Sequence, residues 1–87
     1  MKLLKKPVDA MVVFRTDKEH PRPYKFKITE NGEKITVFVD QILRSEKLLK
    51  FGAESIVYLC QSTINGIERK FELKYFCSDC KWQLYKM

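Results

Sequence analysis

Apolar and polar residues alternate in short runs along this chain, with the period of two that is typical of half-buried β-strands. In the clearest run, Tyr24, Phe26 and Ile28 alternate with Lys25 and Lys27. The pattern predicts that the three apolar side chains point inward and that both lysines point to solvent. Runs of this kind predict six strands, at Val8–Arg15, Tyr24–Thr29, Lys34–Ile42, Ser55–Ser62, Ile67–Phe76 and Lys81–Lys86.

Two Asn-Gly pairs, Asn31-Gly32 and Asn65-Gly66, fall between consecutive predicted strands. Asn-Gly is the strongest short-range signal for a two-residue type I′ hairpin, because both central residues of that turn need positive φ. Residues 43–53 lack the alternation of a strand and the regular spacing of a helix. We expect a loop there, with at most one short helical turn near 43–51 that Gly52 ends.

Short antiparallel strands joined by tight turns predict an all-β domain. We expect a small six-stranded meander that forms a barrel or a strongly curled sheet, of SH3-like or similar topology. The chain has 87 residues, which is the size of one domain. We expect residues 1–7 to form a basic N-terminal tail and residues 8–87 to form the single β-barrel domain.

Three segments of the chain together resemble a known pattern. They are His20-Pro21-Arg22-Pro23-Tyr24-Lys25-Phe26-Lys27-Ile28, Val37–Leu43 and Trp82-Gln83-Leu84-Tyr85. With them the chain resembles a family of small bacterial β-barrel proteins of unknown function, over most of its length. The chain departs from that pattern at Ile28, where an aromatic residue is usual, and Cys77 and Cys80 have no counterpart in it. The resemblance implies a β-barrel fold and a bacterial origin, and it implies no activity.

The formal net charge is +6, and most of the excess lies in the first fifty residues. A basic balance favours polyanionic partners such as nucleic acid, although it also serves solubility. The longest apolar run, residues 10–14, is far shorter than the roughly 20 residues that a membrane-spanning helix needs. Pro7 and Asp9 interrupt a start that would otherwise imitate a signal peptide. With only three cysteines, we expect a cytoplasmic protein with no membrane partner.

Basic residues cluster in residues 15–27, where five of them stand against two carboxylates. Small barrels bind single-stranded nucleic acid by combining basic grooves with exposed aromatic side chains on which bases stack. Phe38 and Tyr85 break the inward phase of their strands, whereas we expect Tyr24 to pack in the core. The candidate nucleic-acid-binding residues are Arg15, Arg22, Lys25, Lys27, Phe38 and Tyr85.

The sequence Cys77-Ser78-Asp79-Cys80 could hold a metal, because a tight turn can direct two thiolates to one zinc ion. A structural zinc site needs four ligands, and Cys60 and His20 are the only other good candidates. The simplest interpretation of the two cysteines is a pair of incidental thiols on a hairpin turn. Besides this and the zinc site, a third interpretation is a reversible disulfide between them. Zinc is therefore the one cofactor that the sequence suggests, with Cys77 and Cys80 as its candidate ligands.

Catalysis has little support in this sequence. The single histidine, His20, lies in a polar loop, where a surface histidine is the usual case, and no third group is evident to orient it beside a nucleophile. We expect a non-enzymatic binding domain whose ligand and partner are unknown, with salt-sensitive nucleic-acid binding as the first hypothesis. The alternatives are a protein-interaction module that uses a strand edge or the apolar residues Leu48, Leu49 and Phe51, and a zinc-stabilised structural domain.

Overall fold

A computed structural model of the chain describes residues 1–87. It contains seven strands and no helix, and every neighbouring pair of strands is antiparallel. The strands are β1 Leu3–Val13, β2 Arg22–Glu30, β3 Glu33–Phe38, β4 Gln41–Lys50, β5 Ala53–Ile64, β6 Ile67–Phe76 and β7 Lys81–Lys86. The all-β, antiparallel prediction is confirmed.

The seven strands form one curled sheet in the order β3-β2-β1-β7-β6-β5-β4. Strands β3 and β4 are its two edges and are not hydrogen-bonded to each other, so the sheet is not closed. The six-stranded barrel is therefore not what the structure shows. No helix with the length and hydropathy needed to cross a membrane is present.

The extra strand is β4, which occupies the segment expected to be a loop with a helical turn. It pairs with β5 from Gln41 to Lys50, with a bulge at Leu43. Most side chains of β4 are exposed on both faces because it is an edge strand. An edge strand that is exposed to solvent on both faces has no apolar side. Apolar and polar residues therefore do not alternate along its sequence with a period of two.

The predicted N-terminal tail is also structured, because β1 begins at Leu3. Its first half pairs with β7 as far as Val8, and its second half pairs with β2 from Asp9 onward. A bulge that includes Lys5, at φ 48°, interrupts the first half. This bulge breaks the alternation among the N-terminal lysines, which is why the sequence resembled an unstructured tail.

A single core fills the concave side of the sheet, and its largest side chains are aromatic. Trp82 lies between Tyr75 and Tyr58, with ring centroids 4.7 and 5.5 Å away. Phe26 packs against Phe71 at 5.4 Å and brings β2 over β6. The buried apolar residues are Phe26, Val37, Val39, Ile56, Tyr58, Cys60, Phe71, Leu73, Tyr75, Trp82 and Leu84.

A corner of two residues, Val39 and Asp40, joins the two edge strands of the sheet. The Val39 N–H donates to the carbonyl of Tyr24 at 2.8 Å. The Asp40 N–H donates to Oγ of buried Ser62 at 3.3 Å, and the Asp40 carboxylate accepts the Thr63 N–H at 2.8 Å. The corner thus ties β2 and β3 to β5 and holds the sheet in its curl.

The two chain ends also pair. Lys2 donates its N–H to the carbonyl of Met87 at 2.7 Å, and Met87 donates its N–H to the carbonyl of Lys2 at 2.9 Å. This reciprocal pair extends the ladder between β1 and β7 by one step beyond Leu3 and Lys86. Both ends of the chain are therefore held at one point of the sheet.

Three hairpins share the same two-residue turn geometry. Asn31-Gly32 and Asn65-Gly66 have the positive φ values of type I′ turns, which confirms the prediction made from these pairs. The hairpin between β4 and β5 uses Phe51-Gly52, with φ 50° and 79°. Phe51 is 98% exposed, so it bears the cost of the left-handed conformation without gaining any packing.

We expect Phe51→Asn to stabilise the fold by about 1 kcal/mol, because asparagine adopts the left-handed conformation more readily than phenylalanine. Urea unfolding followed by tryptophan fluorescence measures the change. The reciprocal variant Asn65→Phe, in a turn of the same geometry, should lower stability by a similar amount. Equal midpoints for all three proteins would contradict the assigned turn geometry.

We expect Asp40→Ala to destabilise the fold by about 1 kcal/mol, since it removes the acceptor of the Thr63 N–H at the corner. The measurement is again the urea midpoint. Asp79→Ala is the control, because Asp79 lies in an exposed turn and makes no side-chain hydrogen bond. If both alanine variants unfold at the same urea concentration, the corner does not carry the stability assigned to it.

Candidate nucleic-acid interface

The convex side of β1, β2 and β3 carries three of the four basic residues singled out from the sequence, Arg22, Lys25 and Lys27. Directly paired residues of antiparallel strands project from the same face. Lys25 pairs with Phe38 on β3 and with Met11 on β1, and Lys27 pairs with Asp9 on β1. Lysine and aromatic side chains are therefore neighbours on one surface. We call it the basic–aromatic face, and its members are Arg22, Tyr24, Lys25, Lys27, Lys34 and Phe38.

Tyr24 joins this face because of a bulge, which corrects its expected place in the core. Met11 pairs with Lys25 and Val12 pairs with Pro23, so Tyr24 has no partner on β1. The bulge reverses the inward phase of β2, so Pro23 is buried while Tyr24 is 44% exposed. The Arg22 guanidinium lies 5.2 Å from the centre of the Tyr24 ring.

The two exposed rings of the face each lie beside a cation. Phe38 is 60% exposed, and the Lys25 ammonium lies 5.5 Å from its ring centre. An exposed cation–π contact contributes about 0.5–1 kcal/mol. Stacking of a nucleobase on an aromatic ring contributes about 1–3 kcal/mol. A base can therefore compete for the ring while the displaced lysine remains close enough to contact a phosphate.

The cations of the basic–aromatic face have no carboxylate partner within salt-bridge distance. The three salt bridges of the structure join Arg15 to Asp17 and Lys47 to both Glu19 and Glu54. Asp9 is the carboxylate that stands among the paired rows of the face, opposite Lys27. The four cations of the face outnumber this one carboxylate, and the resulting net positive charge favours binding to a phosphate backbone.

Two predicted members do not join the face. Arg15 follows the end of β1, and its guanidinium Nε lies 3.1 Å from the Asp17 carboxylate, so its charge is locally balanced. Tyr85 lies on β7, three strands from Phe38 on β3 in the sheet order. The ammonium of Lys74 on β6 lies 4.7 Å from the Tyr85 ring centre, on the side of β7 away from Phe38.

The three cysteines are all free thiols, and they do not form one cluster. Cys77 and Cys80 begin and end the turn between β6 and β7, with the Cys80 thiol 3.8 Å from the Cys77 carbonyl. Cys60 is fully buried, and burial raises its pKa to about 12. No group of three or more histidine, cysteine or acidic side chains has the geometry to hold a metal ion. The chain alone therefore does not assemble the ligand set that the zinc alternative requires.

His20 is not the surface histidine expected from the sequence. It is half-buried, and its Nε2 atom is buried without a hydrogen-bond partner. It shares a cavity of about 290 Å³ with Tyr75 and Cys77, among other residues. No hydrogen bond joins His20 to the Cys77 thiol, so the two do not form the base–nucleophile contact of an activated cysteine. The absence of catalysis stays a prediction.

Lys34 belongs to the face although it was not among the residues predicted from the sequence. A type I′ turn at Asn31-Gly32 fixes the register of the hairpin, and this register places Lys34 opposite Thr29 and Phe38 opposite Lys25. The signal for Lys34 was therefore present in the sequence. The bulge at Tyr24 had no such signal.

No protein-family model, curated protein sequence or solved structure matches this chain. The resemblance to a bacterial β-barrel family, the SH3-like topology and the cytoplasmic location stay predictions.

We expect a thiol reagent to label Cys77 and Cys80 in the folded protein and Cys60 only after unfolding, because a buried thiol with a raised pKa holds little reactive thiolate. Timed labelling read by mass spectrometry counts the reactive thiols. The Cys60→Ala variant is the control and should lose only the slow reaction. Equal rates at all three cysteines would contradict the burial of Cys60. Protection of Cys77 and Cys80 by added zinc would show a metal site that the single chain does not display.

Proposed function

We propose that this protein is a small non-enzymatic binding domain that binds single-stranded nucleic acid through its basic–aromatic face, without sequence preference and in a salt-sensitive way. The observation that supports the proposal is the row formed by Met11, Lys25 and Phe38 beside Lys27, on a surface that also holds Tyr24. This surface therefore combines cations that can contact phosphates with exposed aromatic rings on which bases can stack.

Electrostatics supports an anionic ligand. The chain carries a formal net charge of +6, and the lysines of the face form no salt bridges. Lysine binds phosphate as a point charge, without the fixed geometry of a bidentate arginine contact. A face with four basic residues, three of them lysine, is therefore suited to track a backbone and poorly suited to read bases.

The shape of the face favours single strands over a duplex. Stacking on Phe38 and Tyr24 requires bases with a free π surface, which a paired and stacked duplex does not offer. The convex side of a curled sheet also lacks the protruding helix or two-stranded ribbon that enters a major groove. Any preference among sequences would come from stacking strength and backbone flexibility.

A protein-interaction module is the second candidate, and the tip of the β4–β5 hairpin favours it. Leu49 is 71% exposed and Phe51 is 98% exposed. The free edge of β4 itself is less suited to accept another strand. It carries the bulge at Leu43, and its Lys47 lies on the row of inward-facing Ile56 and forms salt bridges with Glu54 and Glu19. Bulges and inward-facing charges are devices that keep edge strands from pairing.

The test of the nucleic-acid proposal is an NMR titration of labelled protein with a mixed-sequence single-stranded oligonucleotide, at about 50 and 200 mM salt. We expect shifts clustered on Arg22, Lys25, Lys27 and Phe38 that fade at the higher salt, because phosphate contacts release counterions. The absence of shifts at low salt would reject the proposal. Shifts confined to the hairpin tip at Phe51 would favour the second candidate.

Matched variants separate specific contacts from general charge. Lys25→Gln should lower the slope of log K against log salt by about 0.7, the value for one phosphate contact on a single strand. Lys70→Gln, which removes the same charge from an exposed position on β6, should leave the slope unchanged. Phe38→Ala should weaken binding about fivefold or more, whereas Phe51→Ala, which removes a still more exposed phenylalanine beside Lys50, should not.

A further inference from the structure

A groove of about 510 Å³ lies where β1 changes its partner from β7 to β2. Three lysines line it, and each comes from a different strand: Lys6 from β1, Lys27 from β2 and Lys81 from β7. Of these three lysines, only Lys27 was predicted from the sequence. The other two positions are 75 residues apart in the chain, and only the pairing of β1 with β7 brings them to one place.

The groove is positively charged and supplies neutral donors as well. Asp9 is its one carboxylate against three ammonium groups, none of which forms a salt bridge. The Lys6 ammonium donates to the backbone carbonyl of Thr29 at 3.0 Å, which fixes its position without neutralising its charge. Gln83 also lines the groove and offers amide N–H donors. One fixed ammonium, two further cations and the neutral donors beside them fit a phosphate group.

The groove continues into the basic–aromatic face. Asp9 and Lys27 line both the groove and a second depression of about 220 Å³, which Met11, Lys25 and Lys34 also line. From β3 to β7 the surface crosses four neighbouring strands, a distance of about 14 Å at ordinary strand spacing. A chain of phosphates can therefore run from Phe38 over Lys27 to Lys6 and Lys81 without leaving basic surface.

We infer that this groove is a phosphodiester-binding subsite, which extends the path of a bound single strand from the basic–aromatic face across β1 onto β7. The inference rests on the proposed nucleic-acid binding and adds its direction and its extent. A ligand confined to Phe38 and Tyr24 would leave the groove empty. A ligand of several nucleotides fills both.

Trp82 makes the groove separately observable. It is the only tryptophan of the chain, it lines the groove and it is 8% exposed, whereas the basic–aromatic face contains no tryptophan. We expect a single-stranded oligonucleotide of about eight nucleotides to change the Trp82 emission at low salt, and a dinucleotide to shift the amides of Lys25 and Phe38 without that change. Lys81→Gln should lower the salt slope of the longer ligand by about 0.7, and the Lys70→Gln control should not.

The outcomes separate the subsite from the proposed function. If the longer ligand shifts the face while Trp82 emission and the Lys81→Gln slope stay unchanged, the groove is not part of the path and the proposed function stands. If no oligonucleotide shifts the amides of Lys25 and Phe38 or changes the Trp82 emission, the subsite and the proposed function are both wrong. If inorganic phosphate alone changes Trp82 emission and the oligonucleotide does not, the groove binds small anions, and the extended path is overturned.

Discussion

The corner at Val39 and Asp40 is the constraint on which the shape of the molecule depends. Strands β3 and β4 occupy opposite edges of a seven-stranded sheet, yet only two residues join them. A flat sheet could not satisfy that connection, so the sheet must curl until its edges approach. Two hydrogen bonds of Asp40, with Ser62 and Thr63, hold β5 against the end of β3, and a third ties Val39 to β2. The curl encloses the aromatic core and turns the lysines of β2 outward.

The parts of the fold that the sequence revealed are those with a local cause. Asn31-Gly32 and Asn65-Gly66 specify their turns through backbone conformation alone, and these turns set the register of two hairpins. The parts of the fold that could not be predicted from the sequence depend on strands that are distant in the chain. Strand β4 exists because β5 offers it a hydrogen-bonding edge, and the first half of β1 exists because β7 does. Neither segment carries the alternation by which a strand is recognised.

The residues of the candidate site also divide into those with a local cause in the sequence and those that depend on distant strands. Lys25, Lys27 and Phe38 were predictable because one hairpin contains them and its turn fixes which residues stand opposite. Tyr24 was misplaced because a bulge depends on the partner strand, and a single residue out of register turns a side chain from core to solvent. The groove at Lys6 and Lys81 could not be foreseen, since it forms where one strand exchanges partners between two others.

The reciprocal hydrogen bonds between Lys2 and Met87 make the two ends of the chain direct neighbours in a ladder. A short linker can therefore join them without disturbing either strand, and the connectivity of the fold becomes circular. New ends could then be opened in an exposed turn such as Asn65-Gly66, which is far from the basic–aromatic face in the sheet order. The strand order in space, and not the order in which the strands are synthesised, is what defines this molecule.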